Sequence, residues 1–198
     1  MKTSIKIFSA IAVLAMSLTS CGGSAKQDAT STESSAAISV DEVLANPDSL
    51  VGKTITIEGV CSHLCKHGGK KAFVLGSNDT QLLRCESTPE MGGAFSKETI
   101  HKPISVTGIL REERVDEAAV KRMEEQYAAQ AQAEAELTTE AAVGCDTERQ
   151  ARGQGNITTV AERMKDYRIR IAERDSLEGK PYLSFYYLES TAYEILPE

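Results

Sequence analysis

The chain has 198 residues, with 22 Lys and Arg against 29 Asp and Glu, a formal net charge of −7. That balance argues against a nucleic-acid partner, because non-specific binding to a phosphate backbone depends on Lys and Arg. The length suffices for one domain with a real core, even after an N-terminal segment is set aside.

Lys2 and Lys6 open the chain, and Ile7 to Leu18 is an apolar run too short to span a bilayer as a mature helix. Leu18-Thr19-Ser20-Cys21-Gly22 follows. These residues resemble the signal peptide and lipobox of bacterial lipoproteins. The resemblance implies cleavage before Cys21, a lipid on its thiol and export to the cell envelope. The protein would then be lipid-anchored through Cys21, facing the periplasm or the cell surface. Loss of residues 1–20 removes two lysines and no acids, which takes the net charge to −9. Residues 21–38 are Ser, Thr, Ala and Gly with scattered charges and no apolar period, and read as a flexible tether. Residues 39–198 form the folded part. Its cysteines, Cys61, Cys65, Cys85 and Cys145, are even in number and meet an oxidising or variable compartment. Four cysteines allow three full pairings, and the sequence does not choose among them.

Val40 to Leu50 reads as a short helix. Ser39 caps it, Asp41 and Glu42 sit in its first turn, and Asn46-Pro47-Asp48 interrupts it. Lys53 to Val60 alternates, with Ile55 and Ile57 on one face, and predicts a half-buried strand. Lys71 to Leu75 is a second strand, Gly76 to Asp79 a turn and Gln81 to Ser87 a third strand. Pro89 to Gly93 breaks the pattern, and Ala94 to Ile100 predicts one or two helical turns. Lys102 to Leu110 is a fourth strand. It echoes the first: Lys53-Thr-Ile-Thr-Ile-Glu-Gly-Val and Lys102-Pro-Ile-Ser-Val-Thr-Gly-Ile share the same apolar spacing before a glycine. Glycine inside a strand marks a bulge or bend, which small barrels need.

With Gly59 and Gly108 late in strands one and four, and a short helical segment between strands three and four, the chain resembles an OB-fold. The resemblance is to the exported bacterial OB-like proteins related to the tRNA-anticodon-binding type. It covers roughly residues 50–115 and 181–196. It implies a mainly β fold, a five-stranded Greek-key barrel whose ligands usually bind across strands two and three. It implies no function by itself.

The largest departure from a minimal barrel is a helical insertion at about residues 115–178, between strands four and five. Val115 to Val143 is rich in Ala, Glu and Gln, with Val120, Met123 and Tyr127 on one side. A second helix is expected from about Asn156 to Leu177, with Ile157, Val160, Met164, Tyr167 and Ile171 as a coiled-coil-like stripe. The two are expected to pack as a long antiparallel hairpin, available to a protein partner or for self-association. Removing Glu117 to Arg174 should then leave the barrel folded. Tyr182 to Leu196 is aromatic and strand-like, its tyrosines serving core and sheet-face packing rather than base stacking.

The chemistry concentrates at Cys61-Ser-His63-Leu-Cys65-Lys66-His67-Gly-Gly-Lys70-Lys71. Cys61, His63, Cys65 and His67 fall at every second position. In a straight strand they form a row too long for one ion, so a shared site needs an irregular loop. Register counting sets both Cys85 and Cys61 opposite about Lys71. Cys61, His63, Cys65, His67 and Cys85 are therefore the candidate metal ligands, for Zn or Cu by ligand softness. A disulfide, Cys61–Cys65 or Cys61–Cys85, or a thiol-redox role for Cys61 and Cys65, together competes equally with a metal, and unpaired thiols packed as buried small apolar groups are the third reading. Lys66, Lys70 and Lys71 are candidates for an anionic ligand. No orienting Asp or Asn, oxyanion motif or phosphate loop accompanies the Cys/His residues, so a binding module is expected rather than an enzyme. The expected arrangement has the loop Cys61 to Lys71 closing one barrel end, Cys85 facing it and Cys145 far away.

Overall fold

A computed structural model describes residues 36–66, 68–133 and 145–197. The expected signal segment, Cys21, most of the expected tether, His67 and residues 134–143 of the expected first long helix lie outside the described residues.

Alternating apolar residues build a closed barrel. Its strands are β2 (Thr54–Leu64), β3 (Lys71–Leu75), β4 (Leu82–Ser87), β5 (Pro103–Asp116) and β6 (Tyr182–Ile195). The order around the barrel is β2-β3-β4-β6-β5, and β5 closes back onto β2. Only β4 and β6 run parallel among these five. This five-stranded mixed barrel is consistent with an OB-like fold. A two-residue strand, β1 (Ile38–Ser39), adds in parallel to β2.

Ile55, Ile57, Cys61, Ala72, Val74, Leu83, Cys85, Ile104, Val106, Leu110 and Leu188 fill the interior. The two echoing glycines stand where strands close against each other. A Cβ on Gly59 would meet the Leu75 carbonyl oxygen at 2.6 Å, and one on Gly108 would collide with the Glu189 carbonyl. Gly108 also sits at the register shift between β5 and β6. Any side chain there would force the strands apart.

Helix α1 (Val40–Ala45) starts in a capping box, as its sequence predicts. Ser39 Oγ accepts from Glu42 N–H at 3.2 Å, and Ser39 N–H donates to the Glu42 carboxylate at 2.9 Å. The helix stops at Ala45, and Pro47–Ser49 forms a separate 3-10 turn. Val40 and Val43 dip into the barrel core. Between β4 and β5 there is no α-helix, only two 3-10 turns, Pro89–Met91 and Lys97–Thr99, with Phe95 packed into the core.

The largest difference from the sequence reading is in β5. It runs to Asp116, beyond Leu110, and pairs with β6 as far as Tyr182. The charged run Arg111-Glu-Glu-Arg resembles a strand exit but stays in the sheet because each charge finds a partner. Arg111 pairs with Glu189 at 2.6 Å, Ser184 donates to Glu112 at 2.7 Å, and Arg114 lies over the Tyr182 ring.

Among the described residues the long β5–β6 ribbon leads into three helices rather than two: α2 (Glu117–Ala133), α3 (Asp146–Ala151) and α4 (Val160–Glu178). Val115, Val120, Met164, Tyr167, Ile171 and Leu183 form a second core, with Met123, Tyr127 and Val160 packed against it. The apolar stripes therefore meet one another and the ribbon. Arg168 of α4 reaches Glu117 and Glu124 of α2, while Arg163 reaches Tyr127. Those contacts run in opposite directions along the two helices. Ile157 lies before α4, which begins after its cap, Thr159. Among the described residues no helix is long and apolar enough to cross a membrane.

Candidate functional site

A bulge divides the Cys/His stretch. Strand β2 does not end at Val60 but continues through Leu64. Cys61 pairs with Val74, His63 with Phe73 and Leu64 with Ala72, so Ser62 is the extra residue. A bulge switches the face of everything after it. Cys61 and Leu64 therefore share the interior with Val74 and Ala72. His63 faces outward beside Phe73, with ring centroids 5.9 Å apart. The connection to β3 is only residues 65–70, closed by Cys65 N–H to the Lys71 carbonyl at 2.8 Å and Gly69 N–H to the Cys65 carbonyl at 3.1 Å.

The expected register is corrected accordingly. Cys85 pairs with Ala72 rather than Lys71, and Cys61 with Val74. Cys61 and Cys85 lie in the barrel interior, both fully buried. Burial pushes both thiols up, and the charge of Cys61 adds to the rise at Cys85. Such thiols are poor nucleophiles. Cys65 follows Leu64 out of the strand and is partly exposed, whereas Cys61 is inside. No described cysteine is in a disulfide. The proposed ligand set is divided in the same way: two thiols inside, His63 and Cys65 outside, and His67 beyond the described residues. Among the described residues no group of three or more His, Cys, Asp or Glu is gathered for a metal.

Cys145 is the second correction. It is not remote but lies within electrostatic reach of Cys65 and Lys71. It caps α3, accepting from Glu148 N–H at 3.4 Å. Burial pushes its thiol up, opposed by that Glu148 bond, while the Glu148 and Cys65 charges push it further up. His63 is lowered by burial and by Lys66, with Asp146 opposing. The N-terminus of α3 therefore lies beside the outward half of the Cys/His stretch.

From there α3 runs over the outer face of the β3–β4 hairpin. Lys71 Nζ reaches Glu148 at 3.2 Å, and Gln150 donates to the Asp79 carbonyl at 2.9 Å. Strand alternation points Leu83 and Cys85 inward and Arg84 outward, under α3. Arg84 Nη1 donates to Glu148 at 3.1 Å and Nη2 to Glu113 at 2.7 Å, with its guanidinium over the Tyr187 ring. Arg152, just after α3, donates to Glu113 at 2.8 Å and lies over Phe185. Arg84 and Arg152 are 8% and 7% exposed. Burial raises Glu113 and Glu148, but the neighbouring cations outweigh it. Arg152 and Arg84 hold Glu113 below the usual carboxylate range; Lys71, Arg152 and Arg84 do so for Glu148. Lys71 is thus engaged in ion pairs, while Lys66 and Lys70 are exposed on the loop.

A cleft of about 150 Å³ opens beside this network. Its apolar lining includes Leu44, Leu82 and Phe185, and its polar lining Arg84, Glu148 and Arg152. Arg152 lines the cleft, and its Nε is buried with no hydrogen-bond partner. The sequence reading missed Arg84, Glu113, Glu148 and Arg152. The one local sign was Arg84 itself, a charge in the otherwise apolar run Leu82 to Cys85.

No known family model matches this chain, and no curated protein matches it.

Proposed function

We propose that this protein is a lipid-anchored, non-catalytic binding module of the cell envelope, held to the membrane through Cys21. Its recognition site is the Arg152 cleft rather than the bare strand face used by nucleic-acid-binding barrels. The insertion of α2, α3 and α4 serves as a helical arm that shapes the cleft.

The observation that carries this reading is the unpartnered, buried Arg152 Nε beside an apolar wall. A buried donor without an acceptor is costly, and a ligand acceptor relieves that cost. At about 150 Å³ the cleft is smaller than the roughly 300 Å³ of ordinary small-molecule pockets, so it suits one side-chain-sized group. A carboxylate on a short apolar stem, such as a glutamate of a protein partner, supplies both the acceptor and the apolar contact. Nucleic acid fits poorly, because α3 covers β3 and β4 and the net charge is negative.

N-acetylglutamate N-methylamide is a suitable probe. In a titration followed by amide NMR, shifts should appear at Ala151, Arg152 and Ser184 to Tyr186. Arg152→Lys keeps the charge, removes Nε and should abolish them. No shifts at millimolar probe would overturn the ligand assignment. For the anchor, Cys21→Ser should release the protein from the membrane fraction and end its labelling by a fatty-acid precursor.

A further inference from the structure

We propose that Cys65 and Cys145 are a disulfide-forming pair that ties the start of α3 to the β2–β3 loop, leaving Cys61 and Cys85 as reduced core residues.

Three features of the fold set the two cysteines beside one ion pair. The bulge at Ser62 turns the chain so that Cys65 leaves the interior, although Cys61 is inside it. Cys145 is placed as the cap of α3 by the Glu148 N–H bond to its sulfur. Both then flank one ion pair: Cys65 N–H bonds the Lys71 carbonyl, and Lys71 Nζ holds Glu148 at 3.2 Å. The two anchor points of α3, Gln150 on Asp79 and Glu148 on Lys71 and Arg84, hold the helix in this position. The electrostatic influence of Cys65 on Cys145 agrees with that placement. Both cysteines are partly exposed, whereas Cys61 and Cys85 are fully buried, so an external oxidant reaches only the first pair.

The reaction is thiol–disulfide exchange with a small-molecule or protein disulfide as oxidant. One of the two cysteines, as thiolate, attacks a sulfur of the oxidant. A mixed disulfide forms and one thiolate leaves. The second cysteine loses its proton and attacks the mixed disulfide at the protein sulfur, releasing the other half of the oxidant as a thiol. In sum, two protein thiols are oxidised to one disulfide, and the oxidant's disulfide is reduced to two thiols. The bond joins positions far apart in sequence and restrains the unfolded chain accordingly. Its effect on the cleft beside α3 rests on the binding role proposed above. Its existence does not, and the test reads the bond alone.

The full chain, purified in detergent, is treated with oxidised glutathione and then alkylated without denaturant. Peptide mapping should show Cys65 linked to Cys145, and both should lose their alkylation. Cys61 and Cys85 should label only after denaturation. Cys65→Ser and Cys145→Ser should each abolish the linked peptide and leave the remaining outer cysteine as a glutathione adduct. Should either variant misfold, the Cys65→Ala/Cys145→Ala double variant, checked against the reduced wild type by circular dichroism, should lose the gel shift on oxidation. A Cys61–Cys65 or Cys61–Cys85 link, or full alkylation of Cys65 and Cys145 after oxidation, would overturn the proposal.

Discussion

The two faces of strand β4 show how one short segment serves two chemistries. Leu83 and Cys85 face an interior without charge, while Arg84 between them faces α3 through ion pairs with Glu148 and Glu113. The inner face is held by apolar burial, which needs only suitable shapes. The outer face is held by partners that must all be present, because a buried charge is tolerated only when paired. Substitution on the barrel face should therefore weaken the whole domain, and on the α3 face act locally.

The largest effect should come from the inner face. Leu83→Ala removes a fully buried side chain and should cost about 4 kcal/mol in chemical denaturation, with the whole domain melting as one unit. An unchanged midpoint would mean that the interior is not the main source of stability. Glu148→Ala removes the shared partner of Lys71, Arg84 and Arg152 and should cost about 3 kcal/mol. Its signature is local: amide exchange at residues 146–152 should rise far more than in β2 or β5. Uniform deprotection would show that α3 and the barrel are one cooperative unit.

Acid should separate the faces without mutation. Glu113 and Glu148 are held below the ordinary value of 4.5 in the folded state. Their contribution is thus fully present above that pH and is lost as the pH falls through their folded values. His63 acts in the same direction at higher pH, because its value is lowered from 6.5 and its neutral form is favoured by folding. Corrected for the intrinsic pH dependence of exchange, protection at α3 should begin to fall below pH 6.5 and drop steeply in the carboxylate range, before the interior amides respond. Simultaneous loss would remove the distinction. The smallest effect should be Ser39→Ala, which breaks the capping box of α1 and should cost about 1 kcal/mol by thermal melting.

The expectation that residues 117–174 are dispensable for the barrel must be narrowed. Deleting them would uncover Val115 and Leu183 on the ribbon, leave Arg84 without Glu148 and leave Glu113 without Arg152. The interior cluster of the barrel contains no residue of 117–174.

By itself the sequence determined what repeats locally. The alternation around Ile55 and Ile57, the echo ending in Gly59 and Gly108, the Ser39 cap and the stripe Val160, Met164, Tyr167, Ile171 each needs only a few neighbouring residues to be read. The barrel itself was what the resemblance to an OB-fold implied, and the strands close into one. Tertiary structure alone decided which side of the wall each cysteine occupies, since one extra residue at Ser62 inverts the alternation and leaves no clear compositional mark. It also decided the α3 network. Arg84, Glu113, Glu148 and Arg152 are brought together by strand pairing and by the return of α3, and the energy of a buried ion pair depends on distances that no local pattern encodes.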